Sequence, residues 1–248
     1  MSEEQLIIGV LGKPFPSLWL TAYAALQGAF LEHINHLNSL RQLTIPPFLP
    51  IEVRTQQDLS RCHALIIPGG ESTTISLVAE REGLLDPLRE FVKTRHPTWG
   101  TCAGLILLSE RTTNPKKNGQ SLIGGLPIRS TRNYFGSQIA SFETQLTITP
   151  LKETFPAIFI RAPIVEEIYE ANGDAGEGEK VEVFSKVTVH SEMEEKDVIV
   201  AVRKGPIFGT AFHPELTKDN RLHEWWIKDV VIPSWQQSKL QHKKQKSL

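Results

Sequence analysis

The apolar residues of this chain come in two rhythms. Leu6-Ile7-Ile8-Gly9-Val10-Leu11 and Ala64-Leu65-Ile66-Ile67 are unbroken apolar runs, the pattern of parallel strands covered on both faces. Between them, Leu26, Phe30, Ile34 and Leu37 fall on one stripe of a helix starting near Thr21. Pro46, Pro47 and Pro50 mark a loop, and Ile51–Arg54 reads as a short second strand. Helix is expected from about Thr74 to Glu82 and from Pro87 to Lys93. Pro97-Thr98-Trp99 can then end a strand, and Leu105-Ile106-Leu107-Leu108 can open a buried helix. Alternating strand and helix predicts a parallel sheet with helices on both faces.

The second half is less regular. Asn114–Ser121 reads as a polar loop. Phe142, Thr144, Leu146 and Ile148 alternate, suggesting an antiparallel strand. Ala157–Pro163 is a strand ending at proline, and the acidic, glycine-containing stretch Glu166–Lys180 reads as a surface loop. Val181–Val189 and Val198–Arg203 look paired, and Ile207–Phe212 is the last core strand. Arg221–Val231 is a closing helix, followed by a basic tail, 236–248, expected to be disordered. The expectation is one α/β domain over residues 1–235, its sheet mostly parallel with a few antiparallel strands.

At 248 residues and 40% hydrophobic, the chain can bury a sizeable core. A formal net charge of −1 gives no case for nucleic acid or an acidic membrane, and no apolar run approaches the roughly 18 residues of a membrane span. The only cysteines are Cys62 and Cys102, and from the polar start, Met1–Gln5, no secretory leader is expected. A disulfide framework is therefore not expected, and a reducing, cytoplasmic setting is.

In such sheets reactive groups gather at the carboxyl ends of strands. Gly100-Thr101-Cys102-Ala103-Gly104 sits there, with the G-x-C-x-G layout of a nucleophile elbow. Its glycines allow close backbone approach, and the start of a helix favours a thiolate at Cys102. The same five residues also fit a buried structural cysteine in a tight turn. A cysteine nucleophile needs a base and a group to orient it. His213 and Glu215 are two apart after the last core strand, so both can face one way. His213 is one of eight histidines, and alone it would equally suit a surface site. The N–H groups of Gly69, Gly70 and Ala103 can serve a developing oxyanion. A plain turn or a phosphate cradle are the alternatives at Gly69-Gly70, although no lysine stands in the P-loop position. Arg132 and Arg161 lie near loop or strand ends. A guanidinium fork there suits a substrate carboxylate, although surface arginines are the commoner case.

Taken together, Pro68-Gly69-Gly70-Glu71-Ser72-Thr73-Thr74, Gly100–Gly104, Arg132-Asn133 with Phe135-Gly136 and Gln138, Phe159-Ile160-Arg161-Ala162-Pro163 and Phe212-His213-Pro214-Glu215-Leu216 form a set. It resembles the glutaminase subunit of pyridoxal 5′-phosphate synthase, a family of the class I, triad-type glutamine amidotransferases. Leu26-Gln27-Gly28-Ala29-Phe30 with Glu32-His33 also matches that family's first helix. The resemblance implies a flavodoxin-like, three-layer α/β fold and hydrolysis of L-glutamine to L-glutamate and ammonia. It implies Cys102 as nucleophile, completed by His213 and Glu215. Gly69, Gly70 and Glu71 would bind glutamine around the oxyanion hole, and Arg132, Ile160 and Arg161 would hold its amino-acid end. The implied partner is a (β/α)8-barrel synthase that receives the ammonia. Pyridoxal phosphate is then the product of the pathway, with no cofactor and no metal in this subunit.

Some features depart from that family. Gly12–Ala25, with Pro14, Pro16 and Trp19, intervenes where members pass almost directly into Leu-Gln-Gly-Ala. It would emerge beside the oxyanion turn, on the face expected to meet the synthase. Tyr134 replaces a usual small residue, Ser137 replaces a usual arginine, and the acidic loop over 165–180 resembles eukaryotic members. A catalytically impaired regulatory subunit and a triad amidotransferase of another pathway are the rival readings.

Overall fold

Burial follows the apolar runs. In the computed structural model, which describes residues 5–12, 29–41, 46–113, 120–135, 141–149, 151–169, 179–190 and 195–246, strands β1 (Leu6–Leu11) and β3 (Ala64–Ile67) are buried along nearly their whole length. With α1 (Phe30–Leu40), β2 (Phe48–Val53), α2 (Gln56–Ser60), α3 (Ser72–Arg81), α4 (Leu85–Lys93), β4 (Thr98–Thr101) and α5 (Ala103–Leu108) they make the expected alternating half. Then come β5 (Ser109–Thr112), β6 (Leu126–Thr131), β7 (Ser141–Leu146), β8 (Phe155–Ile160), β9 (Ile164–Ile168), β10 (Glu182–His190), β11 (Glu195–Lys204) and β12 (Ile207–Thr210). A 3-10 turn, Pro214–Leu216, leads to α6 (Arg221–Trp226), a π-helical turn over Ile227–Val231, and α7 (Ile232–Lys246).

Among the described residues the main sheet has ten strands, ordered β2-β1-β3-β4-β12-β11-β9-β6-β5, with β10 on β11. β2, β1, β3, β4 and β12 are mutually parallel, as are β5 and β6. β11 runs antiparallel to β12, β9 and β10, and β9 is antiparallel to β6. β7 and β8 form a separate antiparallel hairpin. Alternation along β4 shows the layering. Trp99 points to one face, within 5.7 Å of the Trp226 ring on α6 and 5.9 Å of His33 on α1. Gly100, the next residue, points to the other, against the Gly104 backbone of α5. This is the flavodoxin-like three-layer α/β architecture the resemblance implied. On the hairpin side, the Phe142 and Phe159 rings stack at 4.6 Å, and Phe159 meets Phe212 beyond β12, tying β7–β8 to the core.

Three expectations change. The stretch read as an acidic loop begins inside β9, because Ile164 and Val165 are buried and the strand pairs with both β6 and β11. Strands β5 and β6 were not foreseen. Ser-Glu-Arg-Thr lies at the edge of the sheet with two exposed residues, and Pro127 breaks the apolar pattern of β6. The residues from Gln236 to Lys246, expected to be a disordered tail, continue α7. They contain no glycine or proline and are mostly good helix formers, and Lys239 Nζ lies 3.9 Å over the Trp235 ring. Pro233 sits in the first turn of α7, where its missing N–H is absorbed by the widened turn in which Ile232 N–H reaches Ile227 O. Most of the Gly12–Ala25 segment, the helix start near Thr21, and residues 170–178 lie outside the described residues. Among the described residues no helix is long and apolar enough to cross a membrane.

Candidate active site

Cys102 closes β4 and caps α5 with φ 49° and ψ −101°, a turn that L residues rarely adopt. Its N–H donates to Thr210 O at 2.8 Å, tying the turn to the end of β12, and its carbonyl accepts from Ile106 N–H at 3.3 Å. The flanking glycines set how close α5 can come. A methyl on Gly104 would overlap Ile67 O of β3, and one on Gly100 would overlap the Gly104 carbonyl. Ala103 opens the helix, so its N–H has no earlier helical partner. This is the elbow geometry expected from the spacing.

β12 lies beside β4 with Thr210 opposite Thr101, so the chain beyond it reaches the same rim. His213 is buried, and its N–H donates to Ile158 O of β8 at 2.8 Å. Its Nδ1 lies 2.8 Å from Glu215 Oε1. A carboxylate can only accept, so that nitrogen carries the hydrogen. The Cys102 sulfur also acts on the ring, favouring its charged form. Gly69 fills the gap between them. A methyl there would overlap His213 Cε1, with Nδ1 at 2.9 Å and Cys102 Cβ at 3.4 Å. Burial pulls the His213 imidazole down, but the Cys102 sulfur and the Glu215 carboxylate outweigh it and raise the ring to about 10. Burial likewise pushes the Glu215 carboxyl up. The imidazoles of His33 and His213 beside it more than offset this and hold it below the ordinary carboxylate value.

The second cluster surrounds the turn after β3. Glu71 caps α3, its Oε2 accepting from Thr74 N–H at 2.7 Å and from the Thr74 hydroxyl at 2.8 Å. Its Oε1 accepts from Arg132 Nη2 at 2.9 Å. Arg132 Nη1 also donates to Gln120 Oε1 at 3.1 Å and Thr73 Oγ1 at 3.2 Å. Burial raises the Glu71 carboxyl, but bonds from Thr74 and Thr73 prevail and bring it to about 2. Arg132 is therefore pinned beside Gly69-Gly70, as an internal partner of Glu71. Gly70 itself has φ 143°. Ile160 ends β8 and Arg161 follows it, two and three residues from the Ile158 carbonyl that holds His213. Ile160 is 39% exposed and Arg161 has φ 43°.

The structure adds residues that were not assigned roles. Gln120 joins Arg132 to the Ser72 hydroxyl, which donates to it at 3.2 Å. Behind Glu215 lies His33, fully buried, its Nε2 3.3 Å from Glu215 Oε2. His33 falls on the Phe30–Leu37 stripe, three residues from one and four from the other, so a buried histidine was legible there. Its partner was not. Among the described residues no group of three or more His, Cys, Asp or Glu is placed to hold a metal ion.

Several known proteins are similar to this chain. A crystal structure described as that of a glutamine amidotransferase, 36% identical, superposes with a TM-score of 0.67 over 89% of this chain and 97% of its own. A glutaminase of Schizosaccharomyces pombe, named as uncharacterized, is 44% identical over 84% of this chain and 86% of its own. A probable pyridoxal 5′-phosphate synthase subunit PDX2 of Arabidopsis thaliana is 44% identical over 82% of this chain and 83% of its own. The corresponding subunit PdxT of Herpetosiphon aurantiacus is 41% identical over 82% and 96%. Residues 23–232 match the model of one family, which takes in both clusters just described, and by that match and these relatives the chain belongs to the SNO glutamine amidotransferase family.

Proposed function

We propose that this protein hydrolyses L-glutamine to L-glutamate and ammonia through Cys102, His213 and Glu215, and delivers the ammonia to a partner synthase that makes pyridoxal 5′-phosphate. The observation that carries the reading is the His213 ring, 2.8 Å from the Glu215 carboxylate and meeting Cys102 across Gly69, at the carboxyl ends of β4 and β12. The Cys102 thiolate attacks the side-chain amide carbon of glutamine. The negative charge that builds on the amide oxygen is received by the N–H groups of Gly70 and Ala103. His213, as imidazolium, gives its proton to the departing nitrogen, and ammonia leaves a glutamyl thioester. His213 then takes a proton from water, the resulting hydroxide attacks the thioester, and glutamate and the thiolate are released. Glu215 keeps the imidazole in the tautomer that faces the sulfur.

Ile160 and Arg161 bind the amino-acid end of glutamine, together with the wall that Arg132 and Glu71 form. Relatives named as pyridoxal 5′-phosphate synthase subunits support the partner, read as a (β/α)8 barrel. Ammonia released into water would be protonated and lose its nucleophilicity, so it passes directly into that partner. The setting is the cytoplasm, and the catalytic unit is residues 1–235.

The test is glutamate release by the full chain, with and without the barrel synthase, for the wild type and Cys102→Ala. The wild type should release glutamate with the synthase present, and Cys102→Ala should fall by about a thousandfold or more. Release unaffected by Cys102→Ala would overturn the reading. No release by either form would leave a non-catalytic subunit.

A further inference from the structure

The reaction above uses three side chains, yet the buried polar cluster is larger. Glu215 Oε2, the oxygen turned away from His213, faces His33 Nε2 at 3.3 Å, and both side chains are fully buried. The Thr101 hydroxyl lies 3.4 Å from the same His33 nitrogen. On its far side His33 Nδ1 is 2.9 Å from Nε2 of His223, which is also fully buried. The His223 ring stacks on His36 at 4.6 Å and 5° and packs against Trp99. His36 Nε2 in turn faces two acceptors, Glu215 O at 3.2 Å and Thr217 O at 3.1 Å, so it donates to that turn.

These partners fix the tautomers. Glu215 Oε2 has no hydrogen bond of good geometry among the described residues, so its 3.3 Å contact with His33 Nε2 is electrostatic. A bare Nε2 lone pair would face the carboxylate, so Nε2 carries the hydrogen, directed between Oε2 and the Thr101 hydroxyl. His33 Nδ1 must then accept, and His223 Nε2–H supplies the donor. His223 Nδ1 is left as a buried acceptor with no partner, consistent with a neutral ring. Burial drives both rings down, His33 to about 4 against a weaker pull upward from Glu215, and His223 well below the ordinary value. Both are therefore neutral dipoles at working pH. A core site with only a packing role would be filled more cheaply by apolar side chains of similar volume.

We infer that His33, oriented by His223, is a positioning residue for the reaction: its Nε2–H dipole, 3.3 Å from Oε2, favours the ionised Glu215 carboxylate with Oε1 facing His213. The inference rests on the proposed triad. Besides His213 and Glu215, the groups facing His33 are His223 on α6, Thr101 and Trp99 on β4, and His36 on its own helix. Without the His33 donor, a carboxylate buried this deeply takes up a proton more readily. His213 then loses its anionic partner, and the imidazolium that stabilises the Cys102 thiolate is weakened at the acid end.

The test uses a readout that needs no glutamine: the rate of Cys102 alkylation by iodoacetamide against pH, on the full chain, with the labelled peptide identified by mass. Cys62 is a silent internal control, because burial pushes its thiol up to about 12. His33→Leu should move the acid limb of the profile upward by about one pH unit. It should also lower glutaminase kcat/KM with the synthase by up to about a hundredfold. His33→Gln, which keeps a donor near the Nε2 position, should restore both in large part. If His33→Leu does not fold, His223→Phe keeps the ring packing and removes the donor to His33, and should shift the limb the same way by less. A profile unmoved in a folded His33→Leu or His223→Phe, or glutamine and leucine behaving alike at position 33, overturns the inference. A His33→Leu profile that shifts as described, with no glutamine hydrolysis by the wild type, would support the positioning role while removing the proposed activity.

Discussion

A methyl group on Gly69 would occupy the place of His213 Cε1, so Gly69→Ala cannot be accommodated without turning that imidazole. Displacements of about an ångström at a reacting group cost on the order of a hundredfold, so glutamate release should fall by about that much. The melting temperature should move little by comparison, and measuring both separates misalignment from unfolding. At this scale the three residues of the proposed triad were legible as candidates because each stands in a short local pattern: G-x-C-x-G, and a histidine and an acid two apart after a buried strand. Arg132 was legible as a candidate, but its partner was not. The Glu71–Arg132 contact joins residues 61 apart, and no local spacing encodes it. His33 is a similar case, since its bond to His223 spans 190 residues.

The elbow depends on how closely α5 approaches β3 and β4. Gly104→Ala sets a methyl against the Ile67 carbonyl oxygen, and backbone yields less readily than a side chain. Overpacking of this kind costs about 1–3 kcal/mol, and here the upper end is expected. Urea titration should show a lower midpoint with an unchanged slope. Elements were legible in proportion to how strongly they are buried. β1, β3 and β12 announce themselves as apolar runs because both faces are covered. β5 is half exposed and polar, β6 carries a proline, and β9 mixes isoleucine with glutamate, so each owes its existence to neighbours in the sheet. α7 was missed because its polar composition matches that of a solvated tail. Its start is anchored by buried Ile232 and Trp235.

Topology brings the site together: β12, more than a hundred residues after β4, inserts beside it and sets the turn carrying His213 against the elbow carrying Cys102. Strand alternation predicted a parallel sheet but not this insertion, because pairing between distant strands leaves no trace in local periodicity. Buried imidazoles also shape how the whole molecule responds to acid. His33 has a folded pKa of about 4 against 6.5, so the unfolded chain binds the proton first. Its stabilisation is complete above the unfolded value and is lost as pH falls from 6.5 towards 4. Because His213 is raised to about 10, its stabilisation is complete below 6.5 and lost as pH rises through about 10. His33→Gln should therefore lessen the loss of stability between neutral pH and about pH 4 by up to about 3 kcal/mol, read from denaturant midpoints at each pH. The Cys102 backbone carries a different burden. A torsion of 49° with ψ −101° is comfortable for glycine and strained by about 1–3 kcal/mol for any residue with a Cβ, more than the ~0.5–1 kcal/mol glycine loses through unfolded-state freedom. Cys102→Gly should thus melt a few degrees above Cys102→Ala, and above the wild type as well. If turnover depends on Cys102 as proposed, durability and turnover compete at this position, and a screen for heat resistance alone would discard the proposed nucleophile.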